Sequence, residues 1–154
     1  MEMLEEFTPE VISRLMKQVE FFNEFDEQEV RFVLTYMDDF VRYQAGELIL
    51  EQDKEDDSAM YVMLAGRCLV TSAKGNVYLD EVRVGDFFGE ISFFNLHART
   101  ANVTSEEVTI LWKIRHALLE EAPVELKNKI YQKIISKLTR ILMHSNQQIT
   151  ESLV

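Results

Sequence analysis

Positive charge is scarce in this chain. Sixteen lysines and arginines face 27 aspartates and glutamates, for a net charge of −11. Such a surface repels phosphate backbones and anionic lipid, which argues against a general nucleic-acid binder or a peripheral membrane protein. Cysteine is nearly missing too. The single Cys68 excludes an intrachain disulfide framework and any CxxC zinc pattern, and its place in an alternating run reads as a buried, quiet thiol. No window approaches the ~18 consecutive apolar residues of a membrane span. The opening MEMLEEFTPE carries acids where a secretory leader carries positive charge. His97, His116 and His144 are not spaced as metal ligands, and no Ser–His or Cys–His pair stands out. The expectation is a reduced, cytoplasmic, non-enzymatic protein with no catalytic residue, no metal ligand and no cofactor.

What is present has a clear order. Its 154 residues suit one domain with a real core. Thr8 before Pro9 and Glu10 is a helix start, with Val11, Leu15, Val19 and Phe22 at helical spacing. Asp26 and Glu29 make a capping box ahead of Val30, Val33, Leu34 and Met37. From Val41 the period changes to that of strands. Leu48–Leu50, Ala59–Ser72 broken at Ala65-Gly66, the segment after a hairpin turn at Lys74-Gly75-Asn76, Ala101–Thr104 and Val108–Ile114 all read as β. In the last of these the even positions are large and apolar. The acidic run Asp53–Asp57 lacks the spacing of a calcium loop and reads as a solvated turn. Beyond Pro123 the chain has neither Gly nor Pro, and Leu126, Ile130, Ile134, Leu138, Ile141 and Leu142 predict one helix from Val124 to about Ser152. The expected fold is mainly β with flanking helices: an antiparallel β roll of jelly-roll type with N-terminal helices and a long C-terminal helix. The expected division of a single domain 1–154 is helices over 1–40, roll over 41–116 and C-terminal helices over 117–154.

Chemistry concentrates in GDFFGEISFFNLHART, Gly85 to Thr100. Gly89 allows close backbone approach, and the amides of Ile91 and Ser92 at a helix start attract anions. An ionised Glu90 only accepts hydrogen bonds, which suits a sugar hydroxyl rather than a phosphate. Arg99, nine residues on, offers a permanent cation whose planar fork matches two phosphate oxygens. Two bland readings stand beside this one. Glu90 and Arg99 can form a plain ion pair across a turn, and Phe87, Phe88, Phe93 and Phe94 read as core.

Gly85-Asp86-Phe87-Phe88-Gly89-Glu90 followed by Arg99-Thr100-Ala101 resembles the phosphate-binding cassette of the cyclic-nucleotide-binding domain family. That family includes the catabolite activator protein, kinase regulatory subunits and nucleotide-gated channels. Val41-x-Tyr43-x-x-Gly46-Glu47-x-Ile49 and Met60-Tyr61-Val62-x-x-x-x-Gly66 resemble its flanking strands, so the likeness covers nearly the whole chain. It implies Glu90 on the ribose 2′-hydroxyl, Gly89 as the close-approach glycine and Arg99 on the cyclic phosphate. Ile91 and Ser92 would lend amides, Thr100 would bond the phosphate, and Ala101 would close the pocket. Ala98 stands where the family often has Pro, and the acidic loop runs a residue longer with no glycine after Gln52.

In this family the helix after the roll moves over the pocket when ligand binds. The resemblance therefore makes Thr139, Arg140, His144 and Ser145 candidate base contacts. Lys129, Lys133, Lys137 and Arg140 form a basic face that reads as solvated, or as a dock for an acidic partner or for loop 53–57. The apolar stripe of that helix, extended by Ile149, would cover the roll or form a homodimer or partner contact. The chain ends at Val154 without a helix-turn-helix, so no direct DNA binding is expected. The implied function is a stand-alone cyclic-nucleotide sensor, with cyclic AMP, cyclic GMP or a cyclic dinucleotide left open. A ligand-free interaction module and the sensor fragment of a longer regulator are the alternatives.

Overall fold

The computed structural model describes residues 7–72 and 77–152. Its two units are Met1–Glu121 and Ala122–Val154. The turn expected at Lys74-Gly75-Asn76 lies outside the described residues.

The first helix, α1 (Pro9–Lys17), begins where Thr8 Oγ1 accepts from the Val11 amide at 3.2 Å. It is shorter than the apolar spacing predicts, since the chain leaves it at Gln18 and makes a separate 3-10 turn over Glu20–Phe22. Ile12 and Met16 are its buried residues, rather than Val11 and Leu15, which are half-buried. Next comes α2 (Glu27–Thr35), started by the expected capping box: Asp26 accepts from the Glu29 amide at 2.8 Å, and Glu29 from the Asp26 amide at 2.9 Å.

Eight strands follow, paired antiparallel throughout. One sheet has β1 (Phe40–Tyr43), β8 (Thr109–Ile114), β3 (Met60–Ala65) and β6 (Phe87–Phe88), in that order. The other runs β2 (Leu48–Leu50), β7 (Asn102–Ser105), β4 (Cys68–Ser72) and β5 (Val77–Val82). Two short helices, α3 (Glu90–Asn95) and α4 (His116–Glu121), complete the first unit. The expected antiparallel roll is thus the observed fold. Its interior is filled from both sheets by Leu50, Ala59, Tyr61, Met63, Cys68, Val82, Phe88, Val103 and Leu111. Burial pushes the Cys68 thiol up to about 11, so it stays protonated and inert as expected.

The alternation expected in β8 is replaced by burial on both faces. Leu111 points into the roll, while fully buried Trp112 and Ile114 lie on the other side. Around Trp112 stand Phe21, Phe22 and Phe25, with ring centroids at 6.2, 5.5 and 6.3 Å, and Phe40 stacks on it at 6.4 Å. The N-terminal turn therefore roofs the outer face of this sheet and removes the polar side that a half-buried strand shows. Asp39, buried, takes a two-pronged contact from Arg115 just past β8, and Tyr36 donates to Glu121 of α4.

The second unit holds α5 (Val124–Ser152), 29 residues long, matching the expected helix. Its later apolar residues Leu138, Ile141, Leu142, Met143 and Ile149 are exposed.

Trp112 is the hub that ties the N-terminal aromatics to the roll. Its truncation, Trp112→Ala, is expected to lower unfolding free energy by about 3–5 kcal/mol, as read from urea denaturation.

Candidate functional site

The loops at one end of the roll are arranged around Gly89 and Arg99. Gly85 (φ 94°) turns the chain from β5 into β6, and Gly89 (φ 86°) turns it again into α3. Both positions are left-handed, where a Cβ is strained. At Gly89 space is tight as well: a Cβ would lie 3.0 Å from the Ala59 carbonyl oxygen and 3.0 Å from Arg99 Nη1, so its neighbours would have to give by a few tenths of an ångström. The missing side chain is what lets the guanidinium approach the backbone. α3 then closes on Leu96, itself left-handed at φ 54°.

Arg99 follows three residues later and is stitched to the acidic loop by its backbone. Its amide donates to the Lys54 carbonyl at 3.0 Å, and its own carbonyl accepts from the Asp53 amide at 2.8 Å. The side chain is only 2% exposed. Nε donates to both Asp56 carboxylate oxygens, at 3.1 and 2.9 Å, and Nη2 lies 2.9 Å from Asp56 Oδ1. Nη2 also donates to the Ala59 carbonyl at 2.8 Å, and Nη1 to the Gly89 carbonyl at 3.4 Å.

The run 53–57 is exposed, as a solvated turn is, but it is more than that. The backbone there is exposed, yet two of its carboxylates have fixed partners. Asp56 Oδ1 accepts from the Ser58 amide at 2.8 Å in addition to its bonds from Arg99. Asp57 accepts from the Ala59 amide at 3.2 Å and pairs with Lys113 of β8. Asp53 (φ 67°) and Ser58 (φ 58°) hold the left-handed bends that frame this loop. The physical reason is simple: a guanidinium taken out of water requires a nearby anion. Asp56 and Asp57 of the loop are thus held by Arg99 and Lys113.

The other expected ligand residues divide by exposure. Glu90, at the first position of α3, is buried at 8% exposure, and Ser92 is buried with its hydroxyl donating to the Ala98 carbonyl at 3.4 Å. Ile91 and Thr100 are exposed and Ala101 is half-buried. Helix starts leave their first amides without intrahelical acceptors, which keeps α3 suited to an anion. Phe87, Phe88 and Phe93 are core as expected, and Phe93 stacks on the His116 imidazole at 4.1 Å. Phe94 is not core. It sits on the outer side of α3 at 49% exposure. Thr139, Arg140, His144 and Ser145 all lie in the exposed later part of α5, where His144 is 3.0 Å from Gln148 Nε2.

Sequence reasoning missed Asp56, Asp57 and Lys113. A signal was available: a permanent cation in an apolar segment needs an anion, and 55–57 is a run of three carboxylates.

The chain is thus an antiparallel β-roll domain whose loops bring together a left-handed glycine, a helix opening on a buried carboxylate and a buried arginine. The family model described as cyclic nucleotide-binding domain matches residues 40–122, and the chain belongs to that family. Among curated proteins it is 28% identical over 96 residues to a cGMP-dependent protein kinase of Eimeria tenella, covering 60% of this chain and 9% of the kinase. A cyclic nucleotide-binding domain from Methylobacillus flagellatus superposes with a TM-score of 0.69 at 19% identity, over 94% of this chain and 83% of that one. The regulatory domain of Toxoplasma gondii protein kinase A with cyclic AMP gives 0.63 at 19%, over 83% and 50%. The regulatory subunit of a cAMP-independent protein kinase A from Trypanosoma brucei gives 0.64 at 22%, over 95% and 50%. The chain spans half or less of these kinase-linked relatives. At such identities the solved structures share its fold.

Two outcomes follow from this geometry. Gly89→Ala, with its Cβ pressed on the Ala59 carbonyl and on Arg99 in a left-handed backbone, should cost about 1–3 kcal/mol, measurable by urea unfolding. Partial burial pulls the Asp57 carboxyl upward, but the Lys113 ammonium and the Ala59 amide outweigh it and hold it below its ordinary 3.8. A depressed folded-state value stabilises at higher pH and fades as pH falls through it. Asp57→Asn is thus expected to melt below the wild type at neutral pH, the gap narrowing below 3.8 and closing only as pH falls through the depressed folded-state value.

Proposed function

We propose that this chain is a cyclic-nucleotide sensor, binding cyclic AMP or cyclic GMP through its roll and passing the event on through α5. The observation that carries this reading is Arg99: a permanent cation, 2% exposed, lying against the left-handed Gly89 in a domain of the cyclic nucleotide-binding family. A fixed guanidinium fork matches the two exocyclic oxygens of a cyclic phosphate. Glu90, one residue past Gly89, is the acceptor suited to a ribose hydroxyl. The first amides of α3, from Ile91 and Ser92, complete the anion's shell, with Thr100 and Ala101 beside Arg99 at the rim.

A sensor needs an output surface, and α5 offers one. Leu138, Ile141, Leu142 and Ile149 are exposed along it, an apolar strip suited to a protein partner or to the same helix of a second chain. A ligand shifts such an output only by the difference in its affinity for the two states.

A second reading has an observation of its own. Arg99 already spends most of its donors on Asp56 and two carbonyls, as a domain would that keeps the roll as a scaffold and binds no nucleotide.

Titration calorimetry separates the two. The sensor reading expects binding heat for at least one of cyclic AMP and cyclic GMP. Charge-assisted hydrogen bonds contribute about 1.5–3 kcal/mol each, so Arg99→Ala should weaken that binding at least ~tenfold. Equal heats for wild type and variant would remove the cradle from the account. Silence toward both nucleotides at millimolar excess would leave the scaffold reading standing.

A further inference from the structure

The geometry points to Asp56 as a built-in competitor on Arg99, one that sets the charge of the anion the cradle accepts; this rests on the cyclic-nucleotide reading above.

The guanidinium has two usable edges. Asp56 holds the side edge through Nε and Nη2 at 2.9–3.1 Å. The Ala59 and Gly89 carbonyls hold donors at the other end, at 2.8 and 3.4 Å. Asp56 is also anchored from behind. Its Oδ1 accepts from the Ser58 amide at 2.8 Å, and the loop is bonded to the Arg99 backbone through Asp53 and Lys54. The carboxylate is therefore a fixed negative charge in contact with the group that has to receive an anion.

Such a carboxylate has two opposing effects. It orients the arginine, which favours binding, and it repels the incoming phosphate, which opposes it. The two carbonyls decide the balance. They continue to hold the guanidinium when Asp56 is neutralised, so little orientation is lost while the whole repulsion disappears. Asp56 is then a net opponent of anion binding.

The repulsion scales with the charge of the ligand. A cyclic phosphodiester carries one negative charge. A phosphate monoester, with a second pKa near 6, carries close to two at pH 7. Asp56 thus penalises the monoester about twice as heavily in free energy. It makes the cradle prefer a cyclic nucleotide over the 5′-monophosphate formed when the ring is opened, even though both present the same sugar and base.

The test compares the full chain with Asp56→Asn, titrating each protein with cyclic AMP and with adenosine 5′-monophosphate. Asn keeps the shape and its oxygen still accepts from the Ser58 amide. The variant should bind cyclic AMP about tenfold more tightly and the monophosphate about a hundredfold, because the exponent follows ligand charge. The preference for the cyclic form shrinks accordingly. Asp56→Ser, whose hydroxyl also accepts from that amide, carries the same expectation if the Asn variant melts early. Unchanged or weaker cyclic AMP binding, or equal gains for both ligands, overturns the inference while leaving the sensor reading intact. If both proteins are silent toward the adenine pair, the same comparison is made with cyclic GMP and guanosine 5′-monophosphate, and silence toward that pair as well overturns the two readings together.

Discussion

The fold of the loops around Arg99 depends on keeping one guanidinium out of water. Removing a permanent cation from solvent costs several kcal/mol unless a counter-charge and hydrogen-bond acceptors replace the water. Around Arg99 the acceptors are the Ala59 and Gly89 carbonyls, and the counter-charge is Asp56. Each makes its own demand on the backbone. Gly89 must lack a Cβ so that the arginine comes within reach, and left-handed bends at Asp53 and Ser58 bring Asp56 round to face it. The segment Gly85–Thr100 and the acidic loop, far apart in sequence, are one structural object joined at a single side chain.

That dependence explains what the sequence made legible. Caps at Thr8 and Asp26, the strand periodicity and the unbroken helix after Pro123 are local signals, and each appears in the structure where it was expected. The glycines and Arg99 were legible because left-handed turns and buried cations leave few alternatives of residue type. The partner of Arg99 was not. Asp56 lies 43 positions away, and neither periodicity nor composition says which carboxylate of an acid-rich chain will cross that gap. β8 failed for a related reason. Its second buried face is made by Phe21, Phe22 and Phe25 arriving from the N-terminal turn, a tertiary cover that overrides the half-buried strand pattern. Phe94 erred the other way, since a six-residue helix on the surface has an outer side whatever stands there.

The proposed anion site would lie in a chain of net charge −11, yet the two act at different ranges. Exposed charges are screened over about 8 Å at physiological ionic strength, so most of the acidic surface is felt only weakly inside the roll. A carboxylate in contact with a buried guanidinium is screened much less, even with its own side chain 28% exposed. On the proposed reading, selectivity would follow from the few charges lying within a residue's reach of Arg99, and the surrounding surface would mainly set how fast an anion arrives. One fixed carboxylate at contact distance outweighs the many dispersed over the surface. On that reading local geometry, not net charge, sets which anions the loops would accept.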